Sequence, residues 1–186
     1  VLMDSTGRSY STPLHSLPSA RSSGEPLTSR FNPPPGVQFE SMISGNPDQA
    51  IVVSSDAGYG FITQLSEMYS KNRNGKSLLK LSAHAHVLPL LALNAIDSSY
   101  VALATNTGYL LIISAYELPQ LSRGKGNKMM QISSKKREQR EEFIAKITSL
   151  PSKNSSLLLT SGKKQVVWKA RDWIHYRGKR GQRGRK

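Results

Sequence analysis

Cysteine is absent from this 186-residue chain, which excludes disulfides, thiolate zinc sites and a thiol nucleophile. No apolar run approaches the roughly 18 to 20 residues that span a bilayer, and the start lacks the basic-then-apolar order of a signal peptide. Acidic residues are scarce, with 12 Asp and Glu against 26 Lys and Arg, a formal net charge of +14. These features predict a soluble, cytoplasmic protein that binds a polyanion.

The length is sufficient for a single domain with its own core. The chain begins at Val1, inside an apolar run that continues to Met3. We interpret it as a fragment of a longer protein, with residues 1–186 forming one domain.

An internal repeat is the dominant pattern. Four segments share a short apolar strand, a polar turn that ends in glycine and a second strand that often carries an aromatic residue. The turn glycines recur with a period of about 50 residues, and each is followed by another glycine at a nearly constant offset. A single glycine in a hairpin turn is common. Two glycines that keep nearly the same spacing in four copies indicate a repeat. The marker pairs are Gly7 and Gly24, Gly58 and Gly75, Gly108 and Gly124, and Gly162 and Gly178.

The repeats are predicted to span residues 1–50, 51–100, 101–154 and 155–186. Strands are expected after the turns at 59–63 and 109–113, and before the next copy at 37–43, 86–93 and 144–150, because these stretches are apolar and rich in β-branched or aromatic residues. This period, with three or four strands in each copy, predicts an all-β, propeller-like array of about four blades of antiparallel strands. Residues 133–143 form a charged insertion with one or two expected helical turns.

Basic residues cluster at equivalent positions of the four repeats. The equivalent windows 20–30, 71–81, 121–131 and 175–185 hold 14 of the 26 Lys and Arg and a single acid, Glu25. Equivalent positions of a radial repeat lie on one rim, so we expect a continuous positive band that contacts phosphates without reading bases. Glycines in these segments are expected to let the backbone approach a phosphate closely. The candidate DNA-binding residues are Arg21, Arg30, Lys71, Arg73, Lys76, Lys80, Arg123, Lys125, Lys128, Arg177, Lys179, Arg180 and Arg183.

The C-terminal stretch 163–186 holds ten basic residues and one acid, Asp172. It is either a partly disordered tail, with 177–186 binding nucleic acid weakly, or a fourth rim segment. Its agreement with the three earlier copies favours the rim segment, at least through Gly178.

Several longer motifs resemble the C-terminal domain of the A subunit of bacterial topoisomerase IV, which is related to that of the DNA gyrase A subunit. The resemblance covers nearly the whole chain. The motifs are Ser19-Ala20-Arg21, Gly24-Glu25-Pro26-Leu27-Thr28, Asn32-Pro33-Pro34-Pro35-Gly36, Ser55-Asp56-Ala57-Gly58-Tyr59-Gly60-Phe61, Glu117-Leu118-Pro119-Gln120-Leu121, Arg123-Gly124-Lys125-Gly126-Asn127-Lys128 and His175-Tyr176-Arg177-Gly178.

The resemblance implies a β-pinwheel, a propeller-like array whose blades exchange strands, here as an incomplete ring with blades upstream and one strand downstream. It implies a non-catalytic domain that bends duplex DNA along its rim and tunes supercoil relaxation and decatenation by a type IIA topoisomerase. The implied partners are double-stranded DNA, the N-terminal cleavage core of the same polypeptide and the ATPase B subunit in an A2B2 assembly. ATP and Mg²⁺ would act elsewhere in that enzyme, in the bacterial cytoplasm at the nucleoid.

The wrapping box of the gyrase relatives, Gln-Arg-Arg-Gly-Gly-Lys-Gly, is altered here. The nearest stretch, residues 120–126, lacks the paired basic residues and one glycine. This departure favours topoisomerase IV over gyrase and argues against full chiral wrapping.

No catalytic, cofactor-binding or metal-binding residue is predicted. Tyr59 and Tyr109 both follow a turn glycine, so packing explains them better than nucleophilic chemistry. His84 and His86 have no third ligand and are expected to be structural or solvent-facing, while Trp168 and Trp173 lie among apolar residues and are expected in the core.

Two other function classes remain open. One is a propeller that serves as a protein-interaction scaffold, although charge clustering at one phase of the repeat argues against it. The other is an RNA-binding protein that acts through its Arg/Gly-rich tail.

Overall fold

The computed structural model describes residues 1–186 and is built almost entirely of short strands. They are β1 (Leu2–Asp4), β2 (Arg8–Tyr10), β3 (Phe39–Met42), β4 (Ala50–Ser55), β5 (Tyr59–Gln64), β6 (Lys76–Ser77), β7 (Leu91–Leu93), β8 (Tyr100–Thr105), β9 (Leu110–Ser114), β10 (Asn127–Lys128), β11 (Ile144–Leu150), β12 (Leu157–Ser161) and β13 (Lys164–Trp168). The helices are α1 (Leu27–Arg30), α2 (Ser134–Glu138) and α3 (Ala170–Trp173), with 3₁₀ turns at Leu14–Ser16, Leu65–Met68, Ala115–Glu117 and Ile174–Tyr176. None of the helices has the length and apolar character needed to cross a membrane.

The strands form four separate antiparallel sheets, in the orders β3-β1-β2-β6, β10-β5-β4-β7, β11-β8-β9 and β12-β13. The first two sheets take an edge strand from the following repeat, because β6 pairs with β2 and β10 pairs with β5. This exchange of strands confirms the predicted all-β pinwheel of about four blades whose ring is not closed.

The C-terminal segment of repeat 4 likewise pairs with the blade of the preceding repeat. Arg177 forms a bridge to Ile112 and Arg185 forms a bridge to Leu110, so residues 177–185 line the free edge of β9. Two hydrogen bonds join the main chains of Leu110 and Arg185, at 2.8 and 2.9 Å. This segment is therefore bound along the edge of the third blade by two isolated bridges and is not a free tail.

Each hairpin turn requires a left-handed glycine, as Gly58 illustrates. Its φ is +87°, and a Cβ at this position would lie 2.8 Å from the carbonyl oxygen of Met130. The turn glycine thus satisfies both the turn and the close approach of the chain from the next repeat.

The core fills the spaces between neighbouring blades. The largest cluster joins the second and third blades and includes Val52, Ile62 and Leu103, each at most 1% exposed. Trp173 is 1% exposed and donates its indole N–H to Ser155 O at 2.8 Å, which confirms its predicted packing role. Trp168 is half-buried and stacks on Tyr176 with ring centroids 5.1 Å apart.

Inside the first blade, the hydroxyl of Tyr10 donates to Asp4 Oδ2 at 2.8 Å. Burial and this neighbouring carboxylate raise the pKa of Tyr10 to about 12. The phenol therefore stays protonated at neutral pH, and the hydrogen bond is lost only in strong alkali.

Candidate nucleic-acid interface

The predicted basic residues lie largely on the segments that one repeat donates to the preceding blade. Lys76 begins β6, Lys128 ends β10, and Arg177 to Arg185 line β9. Strand exchange therefore carries these cations to one edge of each of the first three sheets, opposite the edge formed by β3, β7 or β11.

Successive donated segments also contact one another, at three places that we call junctions 1, 2 and 3. At junction 1, Asn32 N donates to Arg73 O at 2.8 Å. At junction 2, Lys80 N donates to Gly124 O at 2.9 Å, and at junction 3, Gln131 N donates to Gln182 O at 2.8 Å. The four segments thus form a continuous path linked by main-chain hydrogen bonds.

At junction 1 the cations are engaged by the protein itself. Arg73 donates to Arg30 O at 3.0 Å and to Ser29 O at 2.5 Å. Arg30 forms an ion pair with Glu25 and donates to Ser16 Oγ at 3.0 Å. Much of the hydrogen-bonding capacity of both guanidinium groups is consequently used within the domain.

At junction 2 the cations are free. Lys80 and Arg123 are exposed, and their side chains form no hydrogen bond or ion pair. Lys125 Nζ lies 4.0 Å from the centroid of the Tyr59 ring, a cation–π contact between a donated segment and the blade that receives it. This is the least compensated positive charge among the three junctions.

At junction 3 the cations are again engaged by protein groups. Arg180 Nη1 donates to Lys128 O at 2.9 Å, and Lys128 Nζ donates to Gln131 Oε1 at 3.1 Å. Arg183 is bidentate to Glu142, whose side chain is fully buried, at 2.8 and 3.1 Å, and lies 4.1 Å from the centroid of Tyr109. Burial alone would lower the pKa of Arg183, but the contacts with Tyr109 and Glu142 outweigh it and raise that pKa.

The remaining candidate residues lie on the basic segments outside the junction contacts. Arg21, Lys71 and Lys179 are exposed, and their side chains form no hydrogen bond or ion pair. Arg177 lies over the ring of Tyr100 at 4.8 Å, and Lys76 Nζ donates to Glu67 O at 2.6 Å.

In the first three repeats the residue after the turn glycine supports the donated segment, a role that the sequence did not reveal. Tyr59 lies under Lys125 and Tyr109 under Arg183, whereas Arg8 donates to Asn74 O and Gly75 O at 2.9 and 3.0 Å. The shared position of the two tyrosines in the repeat was visible in the sequence, but their cationic partners lie in the following repeat, far along the chain.

Two glycines of the basic segments, Gly75 and Gly178, pack closely against the receiving blade. A Cβ on Gly75 would lie 2.7 Å from the Tyr10 ring, and one on Gly178 would lie 2.8 Å from Leu111 Cδ1. These glycines allow close approach to the receiving blade. Among the second glycines of the four marker pairs, only Gly24 and Gly124 have open space at that position.

His86 is exposed and does not belong to a group of three or more potential metal ligands. Its main-chain N–H donates to Asp56 Oδ1 at 2.8 Å, which fixes the turn of the second blade. Asp56 is thus a turn residue, as its repeat position indicated.

Known proteins with similar sequences or structures point to one family. Residues 49–94 and 99–138 match the family described as "DNA gyrase C-terminal domain, beta-propeller". The A subunit of DNA topoisomerase 4 from Pseudomonas aeruginosa is 42% identical over 186 residues, and that from Escherichia coli K12 is 40% identical over 185 residues. The alignments cover 100% and 99% of this chain but 24% of each relative, so the chain spans about a quarter of their length.

The solved structure of the E. coli ParC C-terminal domain superposes with a TM-score of 0.89 at 37% identity, covering 99% of this chain and 74% of that one. A second structure, of the C-terminal domain of DNA topoisomerase IV, has a TM-score of 0.78 at 16% identity over 99% of this chain and 56% of that one, which supports the fold alone. The chain therefore belongs to the family of C-terminal domains found in the A subunit of topoisomerase IV.

Proposed function

We propose that this domain binds duplex DNA along the path of donated segments and bends it, as a non-catalytic part of a bacterial type IIA topoisomerase. The observation that carries the proposal is the continuity of the three junctions, which align basic segments from all four repeats. A duplex presents a similarly continuous row of negative charges, one per about 1.7 Å of helix axis.

Binding is expected to depend on phosphates and to be largely independent of sequence. The free cations at junction 2 are long, flexible side chains at the surface, and base recognition needs side chains fixed in a groove. Junction 1 should contribute less affinity, because its two arginines already donate to protein groups.

The role in the whole enzyme follows from family membership. In the longer protein the domain would work with an N-terminal cleavage core and the ATPase B subunit in an A2B2 assembly at the nucleoid, in the cytoplasm. It would tune supercoil relaxation and decatenation by setting which DNA segments approach the core. ATP and Mg²⁺ would be used elsewhere in that assembly, and this chain would show neither cleavage nor ATPase activity.

The test compares two double variants that remove the same charge. Lys80→Ala with Arg123→Ala alters junction 2, and Lys146→Ala with Lys153→Ala removes two exposed lysines from β11 and the loop after it. Fluorescence anisotropy with a labelled duplex is measured over a range of salt concentrations. The first variant should lose on the order of tenfold in affinity and make the plot of log K against log salt less steep by about 2, while the second should stay near wild type.

Three outcomes would refute the proposal. A nearly flat salt dependence for the wild type would mean that phosphates do not drive binding. Equal losses in the two variants would mean that net charge matters and the path does not. If the junction 2 variant loses affinity for one duplex sequence only, the protein recognises bases.

The placement of the C-terminal segment bears on the RNA-binding alternative. Residues 177–185 line β9, and Arg183 is held by Glu142, so this segment is not a free Arg/Gly-rich tail. Deleting it would uncover the edge of β9 and test folding together with binding. Point substitutions at junction 2 avoid this ambiguity, and binding of single-stranded RNA in preference to duplex DNA would favour the alternative.

A further inference from the structure

The insertion at residues 133–143 interrupts only the third repeat, and it is held firmly in place. Arg140 Nη1 donates to Asp56 Oδ2 at 2.6 Å and to His84 O at 3.2 Å, so the insertion is tied to the second blade. The guanidinium of Arg140 also lies 4.3 Å from the centroid of Phe143. One end of the insertion is thereby fixed across a blade boundary.

A second anchor ties the insertion to the third blade and to the donated segment of repeat 4. Besides its three hydrogen bonds from Arg183, Glu142 accepts from Thr107 Oγ1 at 2.7 Å, and Asn106 Nδ2 donates to Glu141 O at 3.0 Å. Glu142 thus withdraws one cation, Arg183, from the surface of junction 3. The insertion does not act as a loose, solvated loop.

Helix α2 carries positive charge that these anchors do not use. Lys135 and Lys136 are exposed, form no side-chain hydrogen bond and pair with no carboxylate, although Glu138 is on the same helix. The helix begins at Ser134, shortly after Gln131, whose main chain forms junction 3. The Cα atom of Lys135 therefore lies within about 14 Å of that junction, the limit for four extended residues.

We propose that the insertion is a second phosphate-binding element, in which Lys135 and Lys136 contact the phosphates of a duplex bound along the path at junction 3. The anchors hold α2 next to the path, which lowers the entropy cost of the contact. This inference rests on the proposed function, because it assigns a further contact to the same bound duplex.

The test uses the 186-residue chain with Lys135→Ala and Lys136→Ala together, compared with wild type and with the Lys146→Ala and Lys153→Ala control. Duplex affinity should fall on the order of tenfold, and the salt dependence should become less steep by about 2. Changing both residues to Arg should retain the affinity. Because both lysines are exposed, the midpoint of thermal unfolding should not change.

The outcomes separate this inference from the proposed function. If the wild type binds the duplex and the α2 double variant keeps its affinity and salt dependence, the insertion contact is wrong and the path of donated segments stands. If the wild type does not bind the duplex, the proposed function fails and this contact fails with it. A loss of affinity that the Lys146→Ala and Lys153→Ala control reproduces in full would show that net charge causes it and not the position of α2, and would overturn this contact.

Discussion

Repeats 2 and 4 have similar hairpins but very different burial. In repeat 2, Val52 and Ile62 are 0% and 1% exposed, and the hairpin β4-β5 has a strand on each side, β7 and β10. In repeat 4, the hairpin β12-β13 forms a sheet by itself, and Leu158 and Val167 are 56% and 60% exposed. Apolar residues at matching positions are thus core in one copy and surface in the other.

The difference shows that a blade is completed by its neighbours. The side of β5 that β10 covers depends on residues 127–128 of the next repeat, and the path of basic segments depends on the same contact. Stability and the proposed DNA-binding path therefore have a common origin in strand exchange.

The largest effect on stability is expected from a substitution that disrupts the core of the complete blade. Phe61→Ala should lower the free energy of unfolding by about 4 kcal/mol, because a fully buried aromatic ring leaves a cavity. Val167→Ala in the exposed hairpin should cost about 0.5 kcal/mol or less. Urea denaturation followed by circular dichroism measures both, and similar losses would contradict the contrast between the two repeats.

A smaller effect tests the exchanged strand itself. Gly126 has φ +76°, and a Cβ there would collide with the carbonyl group of Gly60, so Gly126→Ala should cost about 3 kcal/mol through strain and displacement of β10. Gly162 has φ +58° with open space around it, so Gly162→Ala should cost only about 1 kcal/mol. Denaturation gives both values, and hydrogen exchange at β5 should rise in the Gly126 variant alone.

The smallest effect concerns the residue after the turn glycine. In repeat 2 this is Tyr59, which lies under Lys125, while in repeat 4 it is Lys163, which is exposed. Tyr59→Leu should weaken duplex binding about two- to fivefold, the equivalent of a surface cation–π contact of about 0.5 to 1 kcal/mol. Tyr59→Phe keeps the ring and should bind as wild type does. If both variants lose affinity equally, the ring does not position Lys125.

Local patterns were sufficient for the repeat and for most strands. The expected strand at 144–150 corresponds to β11, and the expected strand at 59–63 lies within β5. Such strands are determined by alternating or continuous apolar residues next to a turn glycine. The core position of Trp173 followed from its apolar neighbours in the same way.

Contacts between repeats could not be predicted from local patterns. Glu142 looked like one acid in a charged insertion, yet its partner Arg183 is 41 residues later, and the pairing depends on strand exchange. The close packing of the glycines at 75 and 178 was not predictable for the same reason, since the ring and the side chain that they meet lie in other repeats. Sequence spacing shows which residues occupy equivalent positions in the repeats, but it does not identify the strand that lies beside them.

Strand exchange also sets the order in which the chain can be completed during translation. The partner of β2 is β6, and β2 ends at Tyr10 whereas β6 begins only at Lys76. At a synthesis rate of roughly 5 to 20 residues per second, the free edge of β2 would wait about 3 to 13 seconds for its partner to leave the ribosome. During that interval an unpaired edge is open to other chains. Each blade that awaits a donated segment should therefore depend on chaperones until the next repeat has been synthesised.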